Sequence, residues 1–235
     1  MTLPTTLRGI AWRHSRGYVP VVAGSACYED RWHGDVRVEW DQRSLWDFGE
    51  GSLAAVAERY DLLVIDHPLV GDAVDAGLLA QLPPAALPRD AVGESQRSYD
   101  YAGGPWVLAL DAACQVATWR SDLMHAADVA VPETVDDVIN LPASVAVAMP
   151  MAPVDLWCTW LSLCASLDGH PFANPDRVVS GDIADQASDM LARLVRRAGQ
   201  HWLGVNPIAV LRQMSSCDGP AYVPFTFGYS NYARA

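Results

Sequence analysis

A chain of 235 residues, 51% hydrophobic and 19% charged, can bury a full core as one large domain or two small lobes. Its formal net charge of −12 argues against a phosphate-backbone partner, because nucleic-acid binders cluster Lys and Arg to release counterions. No apolar run approaches the ~18 residues of a membrane span, and the fact that all sixteen basic residues are Arg is explained by genomic base composition and carries no functional weight.

The predicted elements alternate. Residues 7–12 (LRGIAW) read as a short strand, followed by Arg13, His14, Arg16 and Tyr18. Residues 19–29 are apolar and rich in small side chains, which fits a helix, and residues 36–40 alternate as a second strand. Residues 52–60 have an N-cap serine and an apolar face at Leu53, Val56 and Ala57, the pattern of a helix leading into a strand over 62–66. Three strands with intervening helices predict a parallel sheet. A helix over 70–79 comes next, then LPPAALP at 82–88, which cannot continue a helix and carries the chain across the surface.

Residues 105–120 give two strand-like runs, 106–110 and 115–119, broken by Asp111, Ala112 and Ala113. They suggest a crossover into a second lobe, so the expected lobes are residues 1–104 and 105–235. The second has a short helix at 134–140, a strand at 144–149 and a nearly all-apolar helix at 154–167. An amphipathic helix at 183–198 and a strand at 221–229, returning toward the first lobe, complete it. No internal repeat or low-complexity tail is present, and the fold class is α/β.

Polar groups at the carboxyl ends of strands mark where open α/β sheets hold ligands. Asp66 and His67 close the third strand, and three readings stand: a turn held by Asp66 and Pro68, a ligand contact, or a general acid/base pair, although adjacent residues on a strand end usually point apart. Trp12, His14, Arg16 and Tyr18 combine flat rings with hydrogen-bond donors suited to a polyhydroxylated or carboxylated molecule, or else form a loop packed on the first helix. Arg43 and Ser44 after the second strand are ligand contacts or solvated surface. Asp111 and Gln115 could accept and donate to hydroxyls, or cap a bend.

Of nine tryptophans, Trp12, Trp46 and Trp106 lie near element ends and are candidate stacking platforms, whereas Trp157 and Trp160 read as packing residues. Neither glycine-rich phosphate loops, nor metalloprotease His pairs, nor a Gly-x-Ser-x-Gly elbow occurs. The six histidines are scattered, and Cys27, Cys114, Cys158, Cys164 and Cys217 form no Cys-x-x-Cys pair. No metal, cofactor or catalytic residue is implied, and free thiols are expected.

The runs LRGIAWRHSRGYVPVVA, WDQRSLWDF, YDLLVIDHPLVG and LALDAACQVATWR, with the later PIAVLRQM and VPFTFGYSNYA, together resemble the extracellular solute-binding proteins, family 1, of ABC importers. The resemblance runs in order over nearly the whole chain. It implies a two-lobe, type II periplasmic-binding-protein fold and a non-enzymatic role, capturing a sugar or an organic acid between the lobes for ABC permease subunits. By position, the implied contacts are Trp12, His14, Arg16, Arg43, Ser44, Asp66, His67, Asp111, Gln115 and Tyr229. A cytoplasmic sensor or enzyme using Asp66 and His67 is the competing expectation.

Two features depart from the family pattern. No export signal is read in this chain, which points to the cytoplasm where the resemblance implies the periplasm or cell exterior. Family chains also continue beyond the returning strand, so the first lobe is expected to be incomplete, with apolar surface exposed around Val64, Ile65 and Leu110 and a tendency to self-associate.

Overall fold

The computed structural model describes residues 5–32, 34–49, 51–167, 169–174 and 176–233. They form two compact units, Met1–Ala112 and Ala113–Ala235. The division therefore falls a few residues beyond the boundary expected near residue 105.

In the first unit, β1 (Thr5–Trp12), α1 (Ser15–Arg31) and β2 (Val36–Arg43) build the expected β-α-β start. Helix α2 (Leu45–Gly49), α3 (Leu53–Ala57) and β3 (Leu62–Leu63) come next. The three strands form one parallel sheet in the order β2-β1-β3, with Trp12 opposite Arg43 at its carboxyl end. Helix α1 begins before the apolar run at 19 because His14 caps it, Nδ1 accepting from the Arg16 N–H at 3.2 Å. Strand β3 is shorter than the expected 62–66, although the Val64 N–H still donates to the Ile10 carbonyl before the chain turns at Asp66.

Helix α4 (Val70–Asp75) stops short of residue 79, and Gly77 adopts a left-handed φ of 67° just past its end. A two-residue hairpin, β4 (Asp100–Tyr101) with β5 (Gly104–Pro105), precedes the segment expected to be a strand at 106–110. That segment joins no ladder. Its polar groups are met by a side chain instead: Gln96, buried, donates from Nε2 to the Val107 carbonyl at 2.8 Å and accepts the Ala109 N–H at 2.9 Å.

The second unit holds β6 (Gln115–Trp119), α5 (Ser121–Ala126), α6 (Val135–Asn140), α7 (Pro153–Ser166), α8 (Gly181–Ala198), α9 (Pro207–Met214) and β7 (Tyr222–Phe227). Strands β6 and β7 pair antiparallel across a bulge between Val116 and Thr118. The strand expected at 144–149 reduces to a single parallel bridge from Val147 to Tyr222, because the proline at 150 and turn at 143–145 leave room for little more. Helix α6 opens with a capping box in which Thr134 and Asp137 satisfy each other's backbone N–H groups. Nineteen buried hydrophobic residues, among them Met149, Leu163, Leu194 and Val210, make one core here. In the first unit only Ile10, Ala11, Trp12, Val70 and Ala73 reach that degree of burial among the described residues. Leu110 is exposed, as expected, while Val64 and Ile65 are half-buried. No helix among the described residues is long and apolar enough to cross a membrane.

Candidate functional site

The parallel β1–β2–β3 sheet brings the ends of its strands together, and with them most of the first-unit residues singled out by sequence. Trp12 is 7% exposed and stacks between His14 (ring centroids 4.8 Å, planes 7° apart) and Phe48 (5.8 Å). Gly17 lies against its indole so closely that a Cβ there would collide with the pyrrole edge. Trp12 is thus a packed ring whose neighbours fix the start of α1, with no open face in this conformation.

Arg43, 6% exposed, reaches two backbone carbonyls, Asp47 at 3.2 Å from Nη1 and Val64 at 2.8 Å from Nη2, and lies over the Phe48 ring at 5.2 Å. It ties the end of β2 to α2 and to the end of β3. Burial lowers its pKa, opposed by the Asp47 carboxylate. Its Nε is buried without a partner among the described residues. Ser44 accepts the Asp47 N–H at 3.0 Å and donates to the same residue's carboxylate at 2.5 Å, an N-cap for α2. Immediately beyond stands Trp46, 74% exposed and the most open indole near these strand ends.

Arg16 donates from Nε to Asp111 at 2.8 Å, joining the first turn of α1 to the last residues of the unit. Asp111 and Asp66 both act on Tyr99: burial raises the Tyr99 pKa first, and these two carboxylates raise it further. The turn reading of Asp66 is the one the geometry supports. Its carboxylate accepts the backbone N–H of His67 at 3.0 Å, while the His67 ring lies against Tyr99 (4.9 Å) and meets the Ser98 carbonyl at 3.2 Å. A carbonyl only accepts, so Nε2 carries the proton and the imidazole is turned away from a carboxylate–imidazole dyad. These strand ends therefore offer a band of donors, acceptors and rings, Arg16–Asp111–Tyr99–His67.

The remaining candidates lie in the second unit. Gln115 has both ends of its amide engaged by α7, Nε2 donating to Thr159 at 3.1 Å and Oε1 accepting from Ser162 at 2.7 Å. Tyr229 is half-buried against the unit's core. On α7 itself, Trp157 is 44% exposed and stacked on Trp160 at 5.2 Å, with Trp160 held by a hydrogen bond to Ser188. Asp155, in the first turn of α7, is 6% exposed, and burial pushes its pKa up to about 6.

Sequence reasoning passed over Asp155, Tyr99 and Trp157. For Asp155 a signal existed: it is the one charged residue in the apolar run VDLWCTWLSLCASL. Trp157 reads from sequence as packing because both members of a pair three apart usually share a buried face. Among the described residues no group of three His, Cys, Asp or Glu stands together as a metal set.

No protein-family model matches the sequence. No curated protein matches it either. Solved structures do. The GacH receptor of Streptomyces glaucescens, solved unliganded and with acarbose, superposes with a TM-score of 0.71 at 15% identity over 99% of this chain. Maltose-bound MalE3 of T. maritima gives 0.72 at 13% over 96%. An ABC transporter solute-binding protein from Agrobacterium radiobacter in complex with ribitol gives 0.67 at 17% over 97%. This chain spans 62%, 62% and 61% of their respective lengths. The fold is the two-lobe α/β fold of type II periplasmic binding proteins, as expected from the sequence. These structural neighbours are binding proteins rather than enzymes.

Proposed function

We propose that this chain is a solute-binding component of an ABC importer, of the family 1 kind, that captures a small polar solute between its lobes by hinge closure. The observation that carries this reading is the likeness, over nearly the whole chain, to proteins solved with maltose, ribitol and acarbose. The strand ends of the first unit support it, with donors and acceptors at Arg16, Asp111, Tyr99 and His67, and the unit also carries an open indole at Trp46, in the helix after the second strand. Such a set suits the hydroxyls and apolar faces of a sugar or polyol, and the Arg16 guanidinium is already paired with Asp111. Trp157 supplies a second open ring, on the other unit. ABC permease subunits are the partners this reading names.

Thermal unfolding against sugars, polyols and organic acids tests it. A ligand at 100 times its Kd adds about 2.7 kcal/mol, several degrees for a chain of this size at roughly 2–4 °C per kcal/mol. The expected result is a shift with one class of sugar or polyol that Trp46→Ala diminishes without lowering the unliganded Tm. A cooperative transition that only organic acids move would replace the sugar reading with a carboxylate one, and a transition that none of the compounds moves would count against solute binding.

A further inference from the structure

The connection between α7 and α8 folds back on itself and frames a cavity of about 210 Å³, lined only by residues of the second unit. Backbone bonds within the loop fix its walls: the Phe172 N–H donates to the Val178 carbonyl at 2.8 Å, Ala173 to His170 at 3.1 Å and Arg177 to Asn174 at 3.4 Å. The volume lies below the roughly 300–1,000 Å³ of sites for drug-sized ligands, so the cavity admits a small metabolite and no oligosaccharide. Its polar side chains are donors with no acceptor opposite them. The Arg177 guanidinium makes no ion pair or hydrogen bond among the described residues, and neither of its neighbours in sequence, Asp176 and Asp182, pairs with it. Ser180 stands ahead of α8 without capping it, so its hydroxyl is unspent. The amide oxygen of Asn174 already accepts the Asp176 N–H at 2.8 Å, which leaves the amide NH₂ to donate, and His170 adds a ring N–H. No carboxylate lines the cavity, and Val178, Val179 and Ile183 give it a half-buried apolar side.

We propose that this cavity is a binding site for a short-chain carboxylic acid, with Arg177 as its anion contact. An uncompensated guanidinium, further donors and an apolar wall are the complement of such a molecule: the planar carboxylate meets the guanidinium fork and the hydrocarbon lies on the valines and Ile183. The net charge of −12 opposes any anion at long range, so selectivity comes from the contact with Arg177 and not from steering. The site belongs to the second unit alone and does not rest on the solute-binding reading.

Amide chemical shifts of the full chain, titrated with sodium butyrate against matched sodium chloride, test the site. Saturable shifts are expected over residues 169–183, with the strand-end amides at 12–16 and 64–67 unmoved. Butyramide, which keeps the hydrocarbon and loses the charge, should bind about tenfold more weakly or not at all. Arg177→Gln should weaken butyrate by a similar factor and leave the ligand-free Tm unchanged, since the side chain has no described partner to lose. Should that variant lose stability, Arg177→Lys decides, because it keeps the charge and gives up the fork: binding between that of butyrate and butyramide supports the site, and no loss overturns it. An absence of saturable shifts at 169–183, an equal response to butyramide, or undiminished binding by a stable Arg177→Gln would overturn the site. Inorganic phosphate saturating the same amides more tightly than butyrate would overturn the carboxylic-acid class. Butyrate shifts confined to the strand-end amides would remove this site and leave the solute-binding reading in place.

Discussion

Asp155 is a carboxyl in an apolar helix face, and its protonation couples to folding. Burial raises its pKa from the ordinary 3.8 to about 6, so the neutral acid is the form the fold prefers. Below pH 4 the residue is protonated folded and unfolded, and it has no effect. As pH rises from about 4 to 6 the unfolded chain ionises first, and stability falls by up to about 3 kcal/mol, a loss that is complete only above about pH 7. Asp155→Asn cannot titrate, so its Tm relative to the wild type should be higher at pH 8 than at pH 4. Melting curves at the two pH values check this, and an equal difference at both would show that the carboxyl is solvated in the folded state. Several polar residues chosen from sequence turn out to have a partner inside the protein: Ser44 caps α2, Arg43 joins three elements, and Gln115 grips α7. A linear sequence shows that a polar side chain follows a strand, but the partner that satisfies it can lie 21 or 44 residues away, as for Arg43 with Val64 and Gln115 with Thr159. That distance is why strand-end position was legible and side-chain role was not.

Elements with an internal rhythm were legible because the rhythm is local. The amphipathic α8, with its acidic first turn and two arginines in its last, is the case where residues 183–198 of the sequence match most of Gly181–Ala198 in the structure. Short strands were not. Leu62–Leu63 is cut short by the turn at Asp66 and the bridge at Val147 by the turn at 143–145 and the proline at 150, flanking residues whose effect on strand length does not show in the apolar run itself. The segment 106–110 is a strand-like apolar run that joins no ladder, and Gln96 supplies the partner that a neighbouring strand would have given. At the junction of β1 and α1, packing is set by one glycine. Gly17→Ala would drive its methyl group into the Trp12 indole, displacing the ring or the helix at a cost of about 1–3 kcal/mol. A lowered Tm together with a red-shifted tryptophan emission is the expected outcome, and an unchanged Tm would mean that the first turn of α1 adjusts freely.

The two units are unequal in what holds them. Nineteen buried hydrophobic residues cluster in Ala113–Ala235, against five in Met1–Ala112 among the described residues. Buried apolar area is the main favourable term in folding, so resistance to local opening should show the same asymmetry. Limited proteolysis is expected to cut first within residues 80–112, where Val92, Leu108 and Leu110 are exposed, and to leave a fragment that begins near residue 113 and retains α7 and α8. Initial cleavage within α7 or α8 would contradict this ordering.

The stacked indoles of Trp157 and Trp160, with planes 16° apart, have an optical consequence. Two transition dipoles held face to face at a fixed angle couple, and a coupled pair absorbs left- and right-handed light unequally. The second unit thereby carries its own chiroptical reporter, one that needs no label and that any slippage of α7 against α8 at Ser188 would dim.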